Sequence, residues 1–332
     1  MNNHKIWQVA AGFFLALGLA VAYTTQVQGA VDLPTVEVGL PEDGVFGLGG
    51  QYILDKKLDQ KNGFVMKPRW AGVAEVQRLM GIGAVPLGLS VSEVSLRANL
   101  KGTPIRLLQP YQLPHIFLLV PKESPYKNVM DLKGKKLALT SETTSLYNMF
   151  DYMMKKRGVN IESDFSLRKL GAGAIIAVLE KGDVDGALIW EAHVSRLLAG
   201  GKYRPIMGFR EEMQKLLEGE TVFLSYIGAV ESWIKAHPDL VPKLRAAWAE
   251  ASRGVQDDEA HFRKHAKRLF NLEKPEEVNL GWSRTRTILA PKELKWPNPA
   301  AVGAQKKYLR EATELGIFPP EAKKYIDALF VP

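Results

Sequence analysis

The chain has 332 residues, 46% of them apolar, 24% charged and 9% aromatic, and its 44 Lys and Arg against 36 Asp and Glu give a formal net charge of +8. That size and composition describe a globular chain of two compact units and exclude a disordered or low-complexity one. Cysteine is absent, which removes disulfides, thiolate metal sites, iron–sulfur clusters, cysteine nucleophiles and a lipidated N-terminal cysteine.

Residues 2–9 carry one basic residue, Lys5, and no acid, and Ala10 to Ala22 form an apolar run. The run is of signal-peptide length and too short to span a bilayer comfortably. Small-residue cleavage sites follow Ala22, Gly29 and Ala30. Residues 1–30 are therefore expected to be a signal peptide, removed on export to the periplasm by the general secretory route, with no lipid anchor. The basic residues stand in pairs among acids with no run of five, so no nucleic-acid partner is expected.

From Val36 onward short β-rich runs alternate with amphipathic stretches, which predicts α/β layering and a mostly parallel sheet. Val36 to Leu40 reads as a strand, Pro41 to Gly50 (PEDGVFGLGG) as a Gly-rich loop opening a helix, Phe64 to Trp70 as a strand and Val73 to Gly81 as a helix. Ala84 to Leu89 is a buried strand, Ser90, Ser92 and Glu93 suit a helix start, and Ile105 to Gln109 is a further strand. The prolines of PYQLP (110–114) suit a crossing between lobes, after which His115 to Val120 is a continuous apolar strand. A second alternation follows, with strands at Lys135 to Thr140, Phe165 to Leu170, Gly186 to Trp190 and Arg204 to Met207 and helices at Ser145 to Gly158, Ala174 to Lys181 and Ala192 to Leu198. Thr221 to Val230 is an apolar strand that carries the chain back, and the remainder is helical, with helices at 240–255, 259–270, 276–286, 300–315 and 321–329. Two crossings make a hinge with a cleft beneath it.

In open α/β sheets ligands bind at the carboxyl ends of strands, where helix N-termini present free N–H groups and partial positive charge. Four junctions have suitable residues: Gly44, Val45, Phe46 and Gly47; Ser90 and Ser92; Thr143, Thr144 and Ser145; and Trp190 with Glu191. Each hydroxyl taken alone also suits an ordinary N-cap, so the case for a site rests on convergence. Trp190 can stack on a flat or methyl-bearing group and Glu191 can accept from a donor. A ligand meeting all of these would carry an acidic end and a donor end. PEDGVFGLGG lacks the Lys-Ser/Thr of a nucleotide loop and the spacing of a dinucleotide fingerprint. His261 and His265, in HFRKH, have the i, i+4 spacing of metal ligands, but the basic residues around them and the missing Glu after the first His favour a solvated basic face. No catalytic residue, metal or cofactor is expected: no GxSxG occurs, and a thiol nucleophile is impossible.

Export signal, two α/β units, DLKGKKL (131–137) and the segment Gly182-Asp183-Val184-Asp185-Gly186-Ala187 leading to Trp190-Glu191 together resemble the periplasmic solute-binding proteins of ABC importers for nitrate, sulfonate and taurine, a family that also holds binding proteins for thiamine-pyrimidine precursors. The resemblance implies a two-lobed type II periplasmic-binding fold, with lobe 1 from 31–113 and 226–332 and lobe 2 from 114–225. It implies a monomer that is not an enzyme, clamps a small anionic or zwitterionic solute and delivers it to an inner-membrane permease with its ATPase. Gly44 to Gly47, Ser90, Ser92, Thr143 to Ser145 and Trp190-Glu191 match positions where family members contact ligand. Tyr111, Gln112 and Tyr226 match the cleft floor more loosely, and the chain has Ala192 where a proline is frequent. The alternatives are a sensor presenting its ligand to a receptor kinase, or an enzyme on the same fold.

Overall fold

A computed structural model describes residues 33–331 except Ala192; the expected signal peptide lies outside them. The first half of the chain lays down β1 (Thr35–Pro41), α1 (Gly44–Asp55), α2 (Leu58–Lys61), β2 (Val65–Ala71), α3 (Val73–Gly81), β3 (Leu87–Ser90), α4 (Ser92–Leu100) and β4 (Ile105–Gln112). After a crossing at 113–115 come β5 (Ile116–Pro121), β6 (Lys136–Leu139), α5 (Ser145–Lys155), α6 (Ile161–Asp164), β7 (Ser166–Lys169), α7 (Ala172–Glu180), β8 (Gly186–Trp190), α8 (His193–Ala199), β9 (Tyr203–Gly208) and α9 (Phe209–Leu216). A second crossing at 217–224 leads to β10 (Ser225–Val230), α10 (Glu231–Ala236), α11 (Leu240–Asp257), α12 (Glu259–Phe270), α13 (Pro275–Ile288), α14 (Pro299–Glu314) and α15 (Lys323–Ile326).

The strands form two five-stranded sheets, ordered β2-β1-β3-β10-β4 and β7-β6-β8-β5-β9. The expectation of mostly parallel pairing is corrected: β1 with β2 and β3, and β6 with β7 and β8, are parallel, whereas β10 and β5 run antiparallel to both of their neighbours. The reason is topological. β5 and β10 are the first strands after each crossing, and each enters its sheet against the direction set by the βαβ units.

The crossings are knitted by backbone. Leu224 N–H donates to Gln112 C=O at 2.8 Å, Leu113 N–H to Ile288 C=O at 2.7 Å, and Ala290 N–H to Tyr111 C=O at 2.9 Å. The end of α13 thus runs beside the first crossing, which is bonded in turn to the second. β4 does not stop at the first proline of PYQLP. Pro110 opposes Tyr226 and Gln112 opposes Ser225, which leaves Tyr111 as the extra residue of a bulge. Its ring is buried between Phe46 and Trp248, at centroid distances of 5.3 and 5.2 Å.

The Gly-rich stretch is itself most of α1. Gly44 takes a positive φ of 76° where the loop turns into the helix, a conformation glycine adopts without strain. A side chain at Gly47 would put its Cβ 2.4 Å from the Pro41 carbonyl oxygen, so this glycine lets the helix pass close to the end of β1. Near the C-terminus, α14 buries Ala304, Tyr308 and Ala312 in the same core as Phe150 and Tyr152 of α5.

Candidate functional site

A cavity of about 190 Å³ opens where the two sheets meet. Its wall takes Asp43 to Phe46 from the start of α1, Thr144 to Leu146 from the start of α5, Trp190 and Glu191 from the end of β8, and Gln112, His115, Ile116, Leu224 and Ser225 from the crossings. Pro41, Val73, Gln77, Leu89, Val91 and Thr140 complete it. The cavity therefore sits at strand C-termini and helix N-termini, as the fold rule requires.

Eight of the fourteen residues singled out from sequence line this wall: Gly44, Val45, Phe46, Gln112, Thr144, Ser145, Trp190 and Glu191. Gly47, Ser90, Ser92, Tyr111, Thr143 and Tyr226 are not among its lining residues. The hydroxyls of Ser90, Ser92, Thr143 and Tyr226 are engaged elsewhere, and that of Tyr111 is buried without a hydrogen-bond partner. Ser90 Oγ contacts Met80 Sδ, Thr143 Oγ1 pairs with Ser141 Oγ at 3.0 Å, and the Tyr226 hydroxyl donates to Gln305 Oε1 at 3.1 Å. Ser92 donates to Glu93 at 3.0 Å and accepts from Gln305 Nε2 at 2.8 Å; the cap position of α4 belongs to Val91, which has no side-chain acceptor. Pro41, Val73, Leu89, Val91, Ile116, Leu146 and Leu224 were not signalled by the sequence, because apolar lining residues look like core, and Asp43, Gln77 and Ser225 were missed as isolated polar residues.

The hydroxyls of the α5 start are already spent. Thr144 Oγ1 donates to the Ser141 carbonyl at 2.8 Å and accepts from Tyr147 N–H at 3.4 Å, as an N-cap does. Ser145 Oγ donates to Glu93 Oε2 at 2.9 Å. What this junction offers a ligand is the first-turn amides of α5, which have no intrahelical acceptors. α1 offers the same, since Asp43 makes no side-chain hydrogen bond to its helix.

Glu191, only 2% exposed, is not waiting for a ligand's donor. Its Oε2 accepts from Ser195 Oγ at 2.7 Å and its Oε1 is paired with Arg284 Nε of α13. That guanidinium also lies 4.6 Å from the centre of the Phe117 ring. The acid thus serves as an internal anchor between β8, α8 and α13.

His115 Nδ1 lies 2.9 Å from the Leu113 carbonyl, so it carries the ring proton and donates to that oxygen. Burial pushes the His115 pKa below the usual imidazole range, against the hydrogen bond to Leu113 and the nearby Glu191 charge. The imidazole is neutral at neutral pH. No Lys or Arg is among the cavity's lining residues; helix ends and N–H groups supply positive potential at the wall itself, and the nearby Arg284 is paired with Glu191.

The HFRKH stretch is a correction. His261 and His265 are 5% and 8% exposed and turn inward toward Asp55 rather than into solvent.

A family model described as "ABC transporter, phosphonate, periplasmic substrate-binding protein" matches residues 56–273. The taurine-binding periplasmic protein of Escherichia coli (strain K12) is 22% identical over 282 residues, covering 78% of this chain and 81% of the relative. Among solved structures, the periplasmic aliphatic sulphonate binding protein of Escherichia coli superposes with a TM-score of 0.72 at 18% identity, over 89% of this chain and 97% of that one. The alkanesulfonate-binding protein of Xanthomonas axonopodis pv. citri, bound to MOPS, gives 0.72 at 17% identity over 91% and 99%. The periplasmic nitrate-binding protein of Synechocystis PCC 6803 gives 0.67 at 13% over 90% and 86%. The family model spans more than half of the chain, and the two-sheet fold agrees with it: the protein belongs to the periplasmic substrate-binding proteins of ABC transporters, which bind solutes for transport and are not enzymes.

Proposed function

We propose that the cavity binds a small organic monoanion of the sulfonate class with an apolar tail, and that the chain delivers it, as a monomer, to an inner-membrane permease with its ATPase. One observation carries this reading: two long helices from opposite sheets, α1 and α5, both begin at the wall of a cavity whose lining includes no Lys or Arg. Helix starts hold an anion through N–H groups and the macrodipole, without a side-chain cation.

The same electrostatics separate the candidate acids. A phosphonate, with two ionisable oxygens, carries between one and two charges near neutral pH, its second proton held more tightly than that of a phosphate monoester, whose second pKa is about 6. Asp43 stands at this wall with no lining cation to offset a dianion. A sulfonate keeps a single charge. The apolar wall, with Val45, Phe46, Val73, Leu89, Ile116 and Trp190, favours an aliphatic or aromatic tail over nitrate, which has none. Taurine's ammonium would have only Asp43 to meet, because both Glu191 oxygens are engaged.

The lobes are then 31–113 with 226–332 and 114–225, closing on the solute about the crossings at 113–115 and 217–224. Residues 1–30 act as a removable export signal with no lipid anchor. Thermal-shift screening of mature protein, unfolded and refolded to strip carried ligand, tests the reading. Alkanesulfonates should raise the midpoint more than taurine, nitrate or phosphonates at equal concentration; a larger rise with a phosphonate would contradict it.

A further inference from the structure

His261 and His265 stand one turn apart on α12 and both face Asp55, the last residue of α1. His261 Nδ1 lies 3.7 Å and His265 Nε2 3.1 Å from Asp55 Oδ2. Among the described residues this is the group of His, Asp and Glu whose candidate ligand atoms all fall within 4.8 Å of one another. A tetrahedral ion with bonds of about 2.0–2.1 Å holds its ligand atoms about 3.3 Å apart. The two measured separations bracket that value.

The His261 ring is otherwise unexplained. Its Nε2 is buried with no hydrogen-bond partner, and its Nδ1 is too far from Asp55, at 3.7 Å, for a hydrogen bond. The ring is nevertheless held in place, edge-on to Tyr52 at 4.8 Å and 4.6 Å from the His265 ring.

The surrounding charges permit a cation. Lys56 is paired with Asp258, Arg263 with Glu259, and Arg268 donates to Gln51. Lys264 Nζ does occupy Asp55 Oδ2 at 2.8 Å, but its side chain is 64% exposed and free to swing out. Asp55 also ends a helix, where the macrodipole favours positive charge.

We propose that Asp55, His261 and His265 form a site for a divalent transition-metal ion of the zinc class, stapling the C-terminal end of α1 to α12. Nitrogen-rich ligation selects such ions over calcium or magnesium.

The test is calorimetric titration of untagged, EDTA-treated mature protein with Zn²⁺. One equivalent should bind with micromolar affinity or better, and excess Zn²⁺ should raise the thermal midpoint. Asp55→Asn and His265→Gln should each weaken binding by about tenfold or more. Lys264→Met, at an exposed position, should keep or tighten it. No saturable binding by the wild-type chain, equal binding by wild type and both ligand variants, or loss of binding in Lys264→Met would overturn the proposal.

Discussion

The Ser145 hydroxyl donates a 2.9 Å hydrogen bond to Glu93 Oε2, linking the first turn of α5 to the first turn of α4. Glu93 is 2% exposed, and it also accepts from Ser92 at 3.0 Å and from the Tyr308 hydroxyl of α14 at 2.9 Å. A buried carboxylate is tolerated only when its lone pairs are filled in this way. Ser145→Ala should therefore cost about 1–3 kcal/mol in urea denaturation by leaving Glu93 short of a donor. Solute affinity should change less than about threefold, since backbone amides and not this hydroxyl hold the acid. Unchanged stability with lost affinity would make Ser145 a ligand residue instead.

The Arg284–Glu191 pair joins α13 to the end of β8, with the acid buried and the guanidinium a quarter exposed. Removing the cation leaves a buried charge held by Ser195 alone. Arg284→Ala should destabilise the chain by about 1–3 kcal/mol, below the cost for a fully buried pair because solvent reaches the Arg. Pairing it with Glu191→Gln in a double-mutant cycle should recover part of that loss. Additive effects would show that the two side chains do not couple.

Trp190 lines the cavity and packs edge-on to His193 at a centroid distance of 5.6 Å. Trp190→Ala should weaken an alkanesulfonate by roughly tenfold or more through lost apolar contact. Asp43→Asn, which removes a negative charge from the wall, should tighten the same ligand by roughly two- to fivefold. Weaker binding in Asp43→Asn would mean that the acid meets a cationic end of the solute, and taurine would then return as the better ligand.

Stability should fall as pH drops below neutral. Burial lowers the pKa of His115 and of His193 in the folded chain, whereas the unfolded value is about 6.5. Above that pH both states are neutral and these groups contribute no slope. As pH falls below it, the unfolded chain takes up protons that the folded chain excludes, so unfolding becomes easier until the folded-state values are reached. The urea midpoint should be flat from about pH 7 to 8 and decline from about pH 6.5 downward. His115→Gln should shallow the decline, and an unaltered slope would contradict the assignment of a neutral buried ring.

Local signals in the chain carried most of the fold. The helix at Glu259–Phe270 is delimited by its own residues, with Asp258 capping and the Asn271 backbone left-handed, and Val73–Gly81 shows its apolar stripe plainly. The helix at Phe209–Leu216 is not among the expected elements, because its FREEMQKL sequence offers few apolar residues. Side-chain roles were harder to read, because they depend on distant partners. Ser92 looks like a cap until Gln305, 213 positions away, is seen to bond it. Glu191 looks like a ligand residue until Arg284, 93 positions on, is in place. The HFRKH stretch looks solvated until Asp55, 210 positions from His265, comes to face it. The family resemblance puts Tyr111 loosely at the cleft floor, but a bulge turns it into the core beside Phe46.

The central claim is that the helix starts of α1 and α5 hold an acid while the apolar wall takes its tail. The most direct measurement is calorimetric titration of refolded mature protein with butanesulfonate, butylamine and taurine under one buffer. If the helix starts hold the acid, butanesulfonate binds one-to-one, taurine binds more weakly and the amine does not bind. Binding of the amine, or taurine bound more tightly than butanesulfonate, would contradict that claim.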